Sequence, residues 1–68
     1  MNRIHVESSN IVSMGYDPDE QILEVEFKNG VYQYIGVKPD VHQAMIEADS
    51  KGKYFTSVIK PNYLYHKV

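Results

Sequence analysis

The chain has 68 residues, with seven Lys and Arg against nine Asp and Glu, and no cysteine. That length holds one domain. The missing cysteines exclude disulfides, cysteine-based zinc sites, iron–sulfur clusters and thiol nucleophiles, and a net charge of −2 supplies no bulk cation to hold a long polyanion. A hydrophobic fraction of 43% is that of a globular chain rather than a disordered one. A domain this small buries only about 60% of the surface of its unfolded chain. Small chains usually add disulfides, a metal or a partner, so self-association is the open route here. No stretch approaches the roughly 20 apolar residues of a membrane span. The first nine residues lack the apolar core of a signal peptide. A cytoplasmic location and no membrane partner are expected.

In chain order, Ile11 to Tyr16 reads as a first strand. Asp17-Pro18-Asp19-Glu20 follows as a turn, with proline presetting the backbone. Ile22 to Phe27 alternates strictly, placing Leu23, Val25 and Phe27 on one face and Glu24 and Glu26 on the other. Asn29-Gly30 predicts a two-residue type I′ hairpin, since both positions then need positive φ. That register sets Phe27 against Tyr32 and Val25 against Tyr34. Both tyrosines then share the apolar face.

Pro39 and Asp40 suit the first turn of a helix. Val41, Ala44, Met45 and Ala48 recur at helical spacing, and the two alanines would let that helix approach the sheet. Ser50-Lys51-Gly52 reads as its C-terminal stop, with Gly52 taking positive φ. Lys53 to Ile59 reads as a second short helix ended by Pro61, and Tyr63-Leu64-Tyr65 as a short terminal strand. The expected class is α+β: an antiparallel meander covered on one face by helix.

Five pieces, taken in order, resemble one family: Ser8-Ser9-Asn10-Ile11, Gly15-Tyr16-Asp17, Leu23-Glu24-Val25-Glu26-Phe27, Gly30-Val31-Tyr32-Gln33-Tyr34 and Ala48 to Phe55. Together they are similar to the KTSC domain, whose hallmark Tyr-x-Tyr is matched by Tyr32 and Tyr34. That domain occurs alone and at the C-terminus of some lysyl-tRNA synthetases. The resemblance implies a suspected RNA-binding role and assigns no catalytic residue. Val37-Lys38-Pro39 departs from the family's habit of placing proline directly after valine, which affects only the start of the helix.

Several groups are candidate ligand contacts. Tyr32 and Tyr34 could stack a base, although their shared apolar face makes core packing the plainer role. Tyr16, Tyr54, Tyr63 and Tyr65 are less constrained. Ser50, Lys51, Gly52, Lys53 and Tyr54 form a corner whose backbone N–H groups and ammonium groups could take a phosphate; a helix cap is the plainer reading. Ser9 and Asn10 could bond a ligand or simply close a turn. Glu24 and Glu26 read as a solvated acidic face that would repel nucleic acid, so any anion site is expected elsewhere, nearer Lys51, Lys53 and Lys60, or Arg3 and Lys67. His5, His42 and His66 are dispersed and make no metal set. No cofactor, metal or catalytic residue is expected.

These features point to a non-catalytic, homo-oligomeric binding protein. Its expected ligand is a small nucleotide-like molecule, in the manner of a protein that sequesters a signalling nucleotide. RNA binding is the alternative carried by the resemblance. A protein–protein adaptor using Tyr63, Leu64 and Tyr65 is the third.

Overall fold

The computed structural model describes residues 3–5 and 11–68. Five antiparallel strands lie side by side in chain order: β1 (Arg3–His5), β2 (Ile11–Asp17), β3 (Ile22–Phe27), β4 (Gly30–Ile35) and β5 (Leu64–Lys67). Between β4 and β5 come α1 (Pro39–Glu47) and a continuous helical run. That run is α2 (Lys51–Tyr54), a π-helical turn (Phe55–Ile59) and α3 (Lys60–Asn62). The α+β meander and the terminal strand expected from the sequence are both present. The strand beginning at Ile11 is the second rather than the first, because Arg3–His5 pairs with it.

Alternation decides which side of the sheet is core. Leu23 and Val25 of β3, Tyr34 of β4 and Met14 of β2 are buried with Val37, Met45, Phe55 and Ile59. The helices therefore cover the face predicted from Leu23, Val25 and Phe27. Asp17 builds the β2–β3 turn as expected: its Oδ1 accepts the N–H groups of Asp19 at 3.0 Å and Glu20 at 3.3 Å. Gln21 then takes φ 56°, and its carbonyl accepts the Val37 N–H at 2.9 Å. This bond ties the far end of β4 back to the turn.

The β3–β4 hairpin differs from the expected one. Phe27 pairs with Gly30, Val25 with Tyr32 and Leu23 with Tyr34. The turn residues are thus Lys28 and Asn29, neither of which has positive φ; that conformation falls on Gly30, at 148°. The Asn-Gly signal places the hairpin correctly and its register one residue too late in the turn. Each partner moves by two positions, so faces are preserved. Tyr32 and Tyr34 remain on the inner side.

Helix boundaries also differ. Pro39 opens α1 and Asp40 sits in its first turn, as expected. Its end is Glu47, with Ala48 as cap, so Ser50-Lys51-Gly52 is not its stop. Ser50 instead caps the next helix, accepting the Lys53 N–H on Oγ at 3.3 Å. A serine competes for backbone donors, which favours starting a helix over ending one. Gly52 consequently lies inside α2. Ala44 is exposed, and Met45 is the buried contact of α1. Pro61 lies inside the continuous helical run, which goes on to Asn62 rather than ending at the proline.

Candidate functional site

The outer sheet face is not the bare acidic surface expected. Arg3 of β1 bridges Glu24 at 3.3 Å and Glu26 at 3.4 Å. Ser13 donates to Glu26 and the Gln33 amide to Glu24, both at 2.9 Å. Both carboxylates are half-buried and occupied. Their partners stand on β1, β2 and β4, where a reading of β3 alone does not find them.

The inner face carries an array of rings. Tyr34 meets Phe55 edge to face at 5.1 Å, and Phe27 meets Phe55 at 5.4 Å and Tyr32 at 5.6 Å. Tyr65 of β5 leans on Tyr34 at 5.2 Å and Tyr32 at 5.7 Å. These edge-on and tilted arrangements are those that ring quadrupoles favour. Tyr34 is only 3% exposed. Burial first, then the neighbouring hydroxyls of Tyr65 and Tyr32, raises its pKa above the ordinary phenol value of 10.0. Its hydroxyl is therefore a protonated donor at neutral pH.

A groove of about 880 Å³ runs between this array and the helical run. Its floor is aromatic, from Phe27, Tyr32, Tyr34 and Phe55, with Tyr65 at the β5 side. Lys28 and Asn29 of the hairpin turn form one bank, and Ser50, Gly52 and Lys53 of α2 another. The π turn extends the second bank. It presents Thr56 and Ser57 to the groove while Phe55 and Ile59 stay buried, and Lys60 follows. Thr56 Oγ1 donates back to the Gly52 carbonyl at 2.9 Å. Single π turns inside helices recur at functional sites.

Three of the chain's seven cationic residues line the groove, and among the described residues no acidic one does so. The cations cluster even though the net charge is negative. A pocket of this size suits a small organic ligand. The aromatic floor offers faces and edges to a flat ring, and the banks offer ammonium and hydroxyl donors to an anion.

Of the residues singled out in the sequence, the groove gathers Ser50, Gly52, Lys53, Tyr32 and Tyr34. Lys51 and Tyr54 do not line it; Tyr54 packs against the core. The expected phosphate corner is modified too, because the Lys53 N–H is already taken by Ser50. Ser9 and Asn10 lie outside the described residues. Among the other tyrosines, only Tyr65 reaches the groove. Tyr63 packs on the core, and Tyr16 stacks on His42 and donates to the Val37 carbonyl. Lys28, Asn29, Thr56 and Ser57 were not foreseen. They come from a turn and a helix far apart in sequence, and helical periodicity does not show a π turn.

Comparison with known proteins agrees with this architecture. A family model described as the KTSC domain matches residues 7–63. A protein of Stutzerimonas stutzeri strain A1501 is 50% identical over 70 residues, covering 100% of this chain and 99% of that one. The lysine–tRNA ligase of Nostoc punctiforme is 35% identical over 63 residues, covering 91% of this chain but 11% of the ligase. The crystal structure of a KTSC domain protein from Yersinia pestis matches with a TM-score of 0.93 and 47% identity, covering 98% of this chain and 96% of that one. With the sheet order, the Tyr32-x-Tyr34 strand and the family match in agreement, the chain belongs to the KTSC domain family.

Proposed function

We propose that the groove binds a small nucleotide-type ligand and that the protein holds this ligand without transforming it. One observation carries the reading: Lys28, Lys53 and Lys60 stand beside an aromatic floor in a groove that no carboxylate of the described residues lines. A nucleotide needs both halves, cations for phosphate and a π surface for the base. Among the described residues, the lining also lacks an imidazole, so its donors suit holding an anion better than general-base chemistry.

Native mass spectrometry of the protein purified gently from cells tests this reading. A discrete extra mass per chain, matching a nucleotide, is the expected result. A chain without added mass that also gives no thermal shift with added nucleotides would contradict it.

RNA is the second reading. Its support is the occurrence of a similar segment within lysine–tRNA ligases. Binding to a strand that neutralises several phosphates weakens steeply with salt, whereas a single nucleotide engages few charges. Titration of a short single-stranded RNA at two salt concentrations separates the two.

A further inference from the structure

We propose that β5 is the pairing edge for a second copy of this chain, with Tyr65 opposite its own equivalent on a two-fold axis. β5 is the last strand of the sheet, and Leu64, Tyr65, His66 and Lys67 are all exposed. The large hydrophobic residues left exposed among the described residues gather at this edge. They are Ile35 at 47%, Leu64 at 82%, Tyr65 at 56% and Val68 at 61%. Exposed edges are usually guarded by charge or proline. Here Lys67 turns inward instead, with its ammonium 5.9 Å from the Tyr32 ring centre.

The backbone sets the register. Val68 donates its N–H to the Val31 carbonyl at 2.9 Å. Antiparallel pairing alternates, so the backbone groups of Leu64 and His66 also face β4, while those of Tyr65 and Lys67 point away from the sheet. A copy that pairs through Tyr65 uses those outward groups. Leu64 then stands opposite His66 of the second copy, and Lys67 opposite Tyr63 of the second copy. No two like charges meet: His66 faces Leu64, and Lys67 faces the Tyr63 ring. Because Tyr65 closes the groove on this side, the second copy also brings its own Tyr65 to the mouth of the first groove. A 68-residue chain without disulfides gains buried surface by this route.

Light scattering after size-exclusion chromatography tests the proposal across a wide range of protein concentration. The full chain is expected to run at twice the chain mass. Y65R and Y65D each place two like charges face to face and are expected to run as monomers. Mixed in equal amounts they are expected to recover the dimer, because Arg then meets Asp across the axis. Circular dichroism confirms that each variant is folded. A wild-type monomer at the highest concentration overturns the proposal. So does a dimer that survives in both variants, or a mixture of folded variants that stays monomeric. The readout needs no ligand, so it stands apart from the binding reading.

Discussion

Lys67 and Gly30 share one space: a methyl group built on Gly30 would stand 2.6 Å from the Lys67 Cε. Gly30 begins β4 and Lys67 ends β5, and the antiparallel pairing brings these two ends together. Gly30 also holds φ 148°, which a side chain opposes independently. G30A is expected to lose about 1–3 kcal/mol of stability. Adding K67A removes the contact but not the backbone strain, so it restores only part of the loss. Urea midpoints of the two variants check this, and full recovery in the double variant would contradict the strain component.

Leu23, the second residue of β3, is fully buried, paired with Tyr16 of β2 on one side and Tyr34 of β4 on the other. L23A is expected to cost about 2–5 kcal/mol. A core this small supplies about 3–5 kcal/mol in all. The variant is therefore expected to be largely unfolded at 25 °C, which far-ultraviolet circular dichroism reads directly.

Ser50 caps α2 through the Lys53 N–H. S50A is expected to lower stability by about 0.5–2 kcal/mol. S50D retains an accepting oxygen and is expected to hold stability near wild type. Equal losses in both variants would show that the cap is unimportant.

His42 stacks on Tyr16 with ring centres 4.2 Å apart and planes 10° apart. Burial pushes its pKa below 6.5. As pH falls through 6.5, the unfolded chain takes up this proton before the folded one does. Stability is therefore lost on acidification between 6.5 and the lowered folded value, and this contribution is flat outside that window. H42Q removes it. Melting temperatures of wild type and variant should diverge in slope below pH 6.5 and run parallel above it; parallel curves throughout would contradict the assignment.

Much of the fold is legible in the residues themselves. The alternation of Leu23, Val25 and Phe27 names the core face, and Asp17-Pro18 and Pro39-Asp40 name a turn and a helix start. The hairpin register is not legible, because Asn-Gly also fits a turn one residue earlier in which Gly30 alone takes positive φ. Ser50-Lys51-Gly52 is ambiguous for a similar reason: serine starts a helix and glycine ends one, and the Lys53 N–H decides for the serine. Of the site, Lys53, Tyr32 and Tyr34 are readable from composition and position. Lys60 is readable there too, as a cation near Lys53, whereas Lys28 joins them through tertiary packing alone. Arg3 likewise bridges Glu24 and Glu26 from β1, a contact that only the folded sheet brings about.

Ligand binding in the groove is the central claim. Differential scanning fluorimetry with nucleoside mono-, di- and triphosphates and dinucleotides tests it most directly, on the wild-type chain and on K53E/K60E. At a hundredfold excess over Kd a ligand adds about 2.7 kcal/mol, which in a domain this small raises Tm by roughly 10 °C or more. The account predicts such a rise with at least one nucleotide in the wild-type chain and its loss in a folded K53E/K60E variant. A wild-type chain unmoved by the whole panel, or a folded variant that keeps the same shift, would contradict it.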